Sequence, residues 1–243
     1  LTAKAYFLDT KSKIEIPNEN IFYVDWYDPY IIINNLLANK NYLFRLLGKV
    51  LRYMIPFGTT RLPEFRRQFW RRPAYKKAID LINEYNIKFI YSSSSPPSSA
   101  IVASSIVRQK DITWFAEFRD PWTQNPYNKK GPLHTYFERK YEKYILKSAT
   151  RLVSISETMA SDLQKLHSKK TLVIYNGFDE SDYNTKKKQL FEKFVITHSG
   201  SIYGNKRDPS MLFKAVKILK EENYLHYDDL DIRFYGPGLD KTI

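Results

Sequence analysis

The sequence contains no cysteine, which excludes disulfide bonds and thiolate metal sites and is typical of a reducing compartment. Histidine is also scarce, and the four histidines are dispersed at positions 134, 167, 198 and 226, so we expect no metal cofactor. No apolar run is long enough to cross a bilayer, and the first residues carry no signal-peptide pattern. What remains is a chain of 243 residues whose 43% hydrophobic content can form a substantial core.

Acidic residues are few beside the basic ones. The chain has 26 acidic and 39 basic residues, which gives a net charge of +13. The excess is concentrated, because residues 34–80 contain eleven basic residues against two acidic ones. Such a balance favours an anionic partner: nucleic acid, anionic lipid or a phosphorylated substrate.

A helix predicted over residues 34–54 carries part of this charge. At about 100° per residue, its cations fall on one side, opposite the apolar residues Leu43, Leu47, Val50 and Met54. Arginines interleaved with aromatic residues follow at 66–72. This composition is typical of interfacial membrane helices, and it also fits a helix packed on a core with its charges in solvent. The side chains predicted to face a membrane are Arg45, Lys49, Arg52, Arg66, Arg67, Arg71 and Arg72.

Short apolar runs alternate with helical patterns along the chain, which predicts βαβ units and parallel sheets. The predicted strands lie near 4–8, 21–24, 88–91, 112–117, 151–155, 171–175, 194–198 and 231–235. The predicted helices lie near 34–54, 74–86, 98–109, 132–148, 157–166 and 209–222.

The same pattern predicts the domain organisation. Residues 1–178 form a Rossmann-like domain, and the polar, charged segment 179–193 is a linker. Residues 194–243 begin a second Rossmann-like domain, and fifty residues are too few to complete it. We therefore expect the protein to start before Leu1 and to continue beyond Ile243.

The segment 194–216 predicts a strand, a loop of small residues and then a helix. The loop opens with Ser-Gly-Ser at 199–201, and Asp-Pro at 208–209 is typical of a helix start. Free N–H groups at such a turn favour anions, and Lys206 and Arg207 add positive charge. The pattern fits diphosphate binding. It also fits an ordinary strand–helix turn, because the loop is not a full glycine-rich phosphate motif.

Four segments in the middle of the chain stand out as motifs: IYSSSSPPSS at 90–99, AEFRDPW at 116–122, SISE at 154–157 and NGFD at 176–179. In this order they resemble the motifs of the retaining glycosyltransferases of family 4. The strand, loop and helix at 194–216 and the Gly-Pro-Gly at 236–238 complete the order. The resemblance implies the GT-B fold, which pairs an acceptor-side domain with a domain that binds a nucleotide-sugar donor.

The resemblance also assigns candidate residues. It implies that Asp120 and Arg119 are catalytic, although Asp120 could instead cap its own turn before a proline. It implies a donor diphosphate site at Gly200, Ser201, Lys206 and Arg207 and a donor-domain loop at Gly236 and Gly238. Ser201 stands where many relatives carry arginine, so stabilisation of the leaving diphosphate rests more heavily on Arg207, beside Lys206, than in those relatives. The glutamates that hold the donor sugar would lie beyond Ile243, so we expect this chain alone to be a weak catalyst.

The function we predict is transfer of a hexosyl-type sugar, with retention, from a nucleotide diphosphate to a saccharide or lipid-linked acceptor. The resemblance implies bacterial surface polysaccharide synthesis by a cytoplasmic protein that is peripheral on the inner face of the membrane, with no metal and no nucleic acid. Two alternatives stay open: a nucleotide-sugar epimerase of the GT-B fold, and a basic nucleic-acid-binding module with its aromatic residues interleaved among arginines.

Overall fold

A computed structural model describes most of the chain, and all structural statements below concern the residues that it describes: 16–25, 29–61, 68–126, 131–180, 191–200 and 207–236. The chain divides into two compact units, Leu1–Gly177 and Phe178–Ile243. Each unit is described by itself.

The first unit alternates helices and strands. Its elements are α1 (Pro29–Leu37), α2 (Tyr42–Arg61), α3 (Gln68–Tyr85), β1 (Phe89–Ser94), α4 (Ser98–Val107), β2 (Thr113–Phe118), α5 (Pro132–Leu146), β3 (Arg151–Ser154), α6 (Glu157–His167) and β4 (Thr171–Val173). The four strands form one parallel sheet in the order β1-β2-β3-β4. The fold is therefore mixed α/β with a Rossmann-like parallel sheet, which confirms the predicted fold class.

The core of this unit lies where β2 and β3 meet the helices that connect the strands. Trp114 and Phe118 of β2 and Leu152 of β3 are fully buried, and they pack with apolar residues of α4, α5 and α6. The indole N–H of Trp114 is also satisfied, because Nε1 donates to Ser92 Oγ on the neighbouring strand at 2.9 Å. The central strands β2 and β3 are thus largely buried, as is typical of parallel sheets, whereas Phe89 and Tyr91 leave one face of the edge strand β1 exposed.

The second unit contains β5 (Phe194–Ser199), α7 (Ser210–Glu221) and β6 (Leu230–Tyr235). The two strands pair in parallel, so this unit is a single strand–helix–strand arrangement. Asp208 lies just before the N-cap residue Pro209 and stabilises the turn into the helix, since its Oδ1 accepts a hydrogen bond from Ser210 N at 2.9 Å. The helix begins at Ser210, one residue after the predicted start.

The prediction of one helix over 34–54 is wrong, because the structure has two helices there, α1 and α2. Asparagine side chains hold the turn between them: Asn39 Oδ1 accepts from Asn41 N, and Asn41 Oδ1 accepts from Leu43 N, both at 2.9 Å. Asn41 thereby caps the start of α2.

Other predicted boundaries also differ. The helix predicted from 74 begins at Gln68 and contains Pro73, and no strand forms at 21–24. The predicted strand at 4–8 and residues 181–190 of the predicted linker lie outside the described residues.

Gly48 allows α1 and α2 to pack closely. A Cβ built at Gly48 would lie 3.1 Å from Leu36 Cβ and 3.1 Å from Leu37 Cγ. We expect Gly48→Val to lower the free energy of unfolding by about 1–3 kcal/mol, because the added methyl groups overpack this contact. Urea unfolding measures the change. Gly131→Ala is the control, since a Cβ there meets nothing within 4 Å; equal stability of the two variants would contradict close packing at Gly48.

Candidate functional site

The carboxyl ends of the four strands of the first unit lie in register. Ser94 pairs with Phe118, Phe118 with Ser154, and Ser154 with Val173, and each of these residues is the last of its strand. Residues that follow the strands therefore emerge side by side at one edge of the sheet. In open parallel sheets this edge is where ligands bind.

Arg119 and Asp120 follow β2 at this edge and are both exposed. The backbone N–H of Arg119 donates to the carbonyl of Ser94 at 2.8 Å, which extends the β1–β2 ladder by one residue. The Arg119 guanidinium reaches across the edge, because Nη2 donates to Asn176 Oδ1 at 3.4 Å in the segment after β4. The structure thus brings Arg119 of the motif at 116–122 together with Asn176, the first residue of the motif at 176–179.

The segment 154–157 reaches the same edge and starts α6. The Ser156 hydroxyl accepts a hydrogen bond from Met159 N at 3.3 Å and caps the helix. Glu157 is the first helical residue, and its Oε1 accepts from the Tyr175 hydroxyl at 3.3 Å. The SISE motif therefore has a structural role as a helix start, and Glu157 also contacts the segment after β4.

Two glycines meet at the strand ends of the second unit. Gly200 has φ +125°, in the region that favours glycine, and its N–H donates to the carbonyl of Tyr235 at 2.7 Å. A Cβ built at Gly236 would lie 2.6 Å from the carbonyl carbon of Gly200. Both positions therefore require glycine, Gly200 for its backbone conformation and Gly236 for the close approach of the two chains.

The first turn of α7 is less available to an anion than the sequence predicts. Asp208 accepts hydrogen bonds from the N–H and the hydroxyl of Ser210. These bonds lower the pKa of the Asp208 carboxyl, so it is ionised at neutral pH beside the helix start. Arg207 is exposed directly before it. Ser201, Lys206 and Gly238, the other predicted donor-site residues, lie outside the described residues.

The predicted membrane-facing surface is exposed where it is described. Arg45, Lys49 and Arg52 all point to solvent, and so do the apolar side chains of Leu43 and Leu47, which are 70% and 47% exposed. The described part of α2 does not pack on a core through its apolar side, which is the packing that the alternative interpretation requires. Arg72 is exposed and Arg71 is half-buried, while Arg66 and Arg67 lie outside the described residues.

Neither a membrane span nor a metal cluster is found in the described ranges. No helix there has both the length and the apolar character needed to cross a bilayer. No three side chains of His, Cys, Asp or Glu come together there in a way that could hold a metal ion.

Sequence reasoning missed a buried carboxylate pair on α5. Glu138 and Glu142 are 6% and 0% exposed, and both contact the loop that carries Asp120. A signal was available, since helical spacing places both residues on the same face as Ile145, which is buried in the core. Charged residues on the core-facing side of an amphipathic helix indicate a polar partner.

A sequence model of glycosyltransferase family 4 matches residues 40–182, which is more than half of the chain. The chain therefore belongs to glycosyltransferase family 4. No curated protein matches it. The protein is an enzyme of the GT-B type that transfers a sugar from a donor to an acceptor, which confirms the broad class predicted from the motifs.

The contact between Gly236 and Gly200 gives a direct test of the second unit. We expect Gly236→Ala to push β5 and β6 apart at their ends, because the added Cβ meets backbone atoms of Gly200 that cannot turn away. Hydrogen exchange of β5 and β6 amides should rise. Gly177→Ala is the matched control, since nothing lies within 4 Å of a Cβ there; unchanged exchange in Gly236→Ala would contradict the close approach.

Proposed function

We propose that this enzyme transfers a hexosyl-type sugar from a nucleotide diphosphate to a saccharide or lipid-linked acceptor, with retention, in the synthesis of bacterial surface polysaccharide. The observation that carries the proposal is the meeting of Arg119, Asp120 and Asn176 at the carboxyl edge of the parallel sheet. A carboxylate and a guanidinium at this edge suit a substrate that carries hydroxyl groups.

Asp120 and Arg119 are the catalytic residues of the proposal. The bond between the anomeric carbon and the diphosphate breaks, and the acceptor oxygen forms the new bond on the same face. The acceptor proton passes to an oxygen of the departing diphosphate. The Asp120 carboxylate orients the acceptor hydroxyl and stabilises the positive charge that develops on the sugar ring. The Arg119 guanidinium lies at the same edge, where it donates to Asn176.

The donor diphosphate belongs, in this proposal, to the loop of the second unit. Neither Gly200 nor Gly236 adds a side chain at this strand end, which suits the close approach of a phosphate to the backbone. The other residues that we assign to the donor site are Ser201, Lys206, Arg207 and Gly238. Because Asp208 occupies the helix start, the two cations carry most of the charge stabilisation, and no metal is assigned to the step.

The proposal of a lipid-linked acceptor depends on the surface of α2. Its cations and its apolar residues are both exposed, a combination that suits an anionic membrane better than bulk water. We assign α2 as the surface that holds the enzyme on the inner face of the membrane, where a lipid-linked acceptor lies. We propose no nucleic-acid partner.

Asp120→Asn tests the catalytic assignment. We expect turnover with UDP-, GDP- and dTDP-sugars to fall about 100- to 1,000-fold, because the amide cannot stabilise developing positive charge. Product analysis after incubation with a bacterial membrane fraction as acceptor measures the transfer. Asp111→Asn is the matched control, since Asp111 is exposed before β2 at the opposite edge; similar activity in both variants would remove Asp120 from catalysis.

Product analysis also decides between the proposal and its alternatives. A sugar that stays on the nucleotide with inverted configuration at one carbon indicates an epimerase. Absence of transfer and of donor hydrolysis across the whole panel would overturn the glycosyl-transfer proposal. Salt-sensitive binding to oligonucleotides, without binding to anionic vesicles, would favour the nucleic-acid module instead.

Vesicle binding tests the surface of α2. Each cation near an anionic leaflet contributes on the order of 1 kcal/mol, so the triple variant with glutamine at Arg45, Lys49 and Arg52 should bind phosphatidylglycerol vesicles about 100-fold more weakly. Sedimentation with vesicles at low and high salt measures this. The control carries glutamine at Arg139, Lys143 and Lys147, three exposed cations of α5 and the residue after it. Equal losses in both variants would indicate a general effect of net charge.

A further inference from the structure

Two buried carboxylates lie one turn apart on α5, below the loop that follows β2. Glu142 is fully buried, and Glu138 is 6% exposed. A carboxylate removed from water without partners destabilises a protein by several kcal/mol. Apolar residues would fill the same positions without that cost, so the contacts of these two side chains require an explanation.

Both carboxylates accept hydrogen bonds from consecutive residues of the loop. Glu138 Oε1 accepts from Trp122 Nε1 at 3.1 Å. Glu142 Oε2 accepts from Thr123 N at 3.3 Å and also from the Thr123 hydroxyl. Trp122 further packs edge-to-face on Tyr141, which lies between the two glutamates in the sequence, with ring centroids 6.0 Å apart.

Histidines contact the outer oxygens of the same carboxylates. His167 Nε2 lies 3.0 Å from Glu142 Oε1, and both side chains are at most 2% exposed. His134 Nε2 lies 3.4 Å from Glu138 Oε2. Each glutamate is thus bonded on one oxygen to the loop and contacted on the other by a histidine. Glu142 is hydrogen-bonded on both sides, whereas His134 lies near Glu138 without a hydrogen bond.

These contacts restrict the position of Asp120 from one direction, and the sheet restricts it from the other. Before Asp120, the N–H of Arg119 bonds to the Ser94 carbonyl at 2.8 Å and continues the ladder. After Asp120, Pro121 fixes its own φ, and the next two residues are bonded to α5. Only the turn at Asp120 and Pro121 lies between the two anchored ends.

We propose that Glu138 and Glu142 are positioning residues that hold Arg119 and Asp120 in their reactive geometry, a pair that we name the α5 clamp. The expected effect on turnover rests on the proposed function, but the effect of the two glutamates on the position of the loop does not. A misplacement of about 1 Å at a reacting group can slow a reaction about 100-fold. The clamp acts through its hydrogen bonds to the loop.

Glu142→Gln and Glu138→Gln test the clamp on the full chain. Glutamine keeps one accepting oxygen but loses the negative charge, so the hydrogen bonds from Trp122 and Thr123 change from charge-assisted bonds to weaker neutral ones. We expect amide hydrogen exchange at 119–124 to rise at least about 10-fold without substrate. We expect kcat with UDP-, GDP- and dTDP-sugars to fall about 10- to 100-fold while KM for the donor changes less than about 3-fold.

A matched control separates positioning from general loss of stability. Ile145→Val removes one buried methyl group from the same helix, typically at a cost of about 0.5–1.5 kcal/mol, and Ile145 is part of the core cluster. This variant should lower stability while leaving exchange at 119–124 near the wild-type rate. If the glutamine variants show the same exchange at 119–124 and the same kcat as Ile145→Val, the clamp is overturned.

Loop variants keep the test decisive if a glutamine variant does not fold. Thr123→Val removes the hydroxyl donor to Glu142, and Thr123→Ser restores it. Faster exchange and lower kcat in the valine variant, with recovery to within about 3-fold in the serine variant, support the clamp. Valine and serine variants that behave alike would overturn it.

Failure of the proposed function is distinguishable from failure of the clamp. A wild-type enzyme that neither transfers nor hydrolyses any sugar in the panel contradicts the function and leaves the clamp to be decided by exchange alone. The clamp is then supported if exchange at 119–124 rises in Glu142→Gln but not in Ile145→Val. The clamp is overturned if exchange in Glu142→Gln stays unchanged.

Discussion

The in-register ending of four parallel strands is the constraint on which the candidate site depends. Ser94, Phe118, Ser154 and Val173 end their strands opposite one another, so the segments that follow them must share one edge. A shift of one residue in β2 would move Arg119 and Asp120 along the edge and turn their side chains to the other face. The hydrogen bond of Arg119 to Asn176, 57 residues away in the sequence, requires this register.

Much of the fold follows from local pattern, because short apolar runs bounded by polar turns leave few alternatives in an α/β chain. The six described strands lie within a few residues of their predicted positions. The wrong prediction of a single helix at 34–54 has a local cause, since the asparagines at 39 and 41 bond to nearby backbone N–H groups between the two helices. The spacing of apolar residues does not show where asparagine side chains bond to backbone N–H groups in place of a continuing helix.

The candidate site was less predictable, because its contacts join distant segments. Asp120 and Asn176 could be identified by motif, but nothing local places the Arg119 side chain beside Asn176. The carboxylates of Glu138 and Glu142 were missed for another reason: charged residues on a helix are usually solvated, and only the partners on the β2 loop explain their burial. Such partners are set by tertiary packing.

The strand order has a consequence for how the first unit is built. Because β1, β2, β3 and β4 are neighbours in the order in which they occur in the chain, each strand pairs with one already present, and each connecting helix joins adjacent strands. Each pairing still has to wait for the helix between its two strands, and such non-local parallel pairing forms slowly. During synthesis, however, the described strand–helix units can add to the sheet one after another as they leave the ribosome.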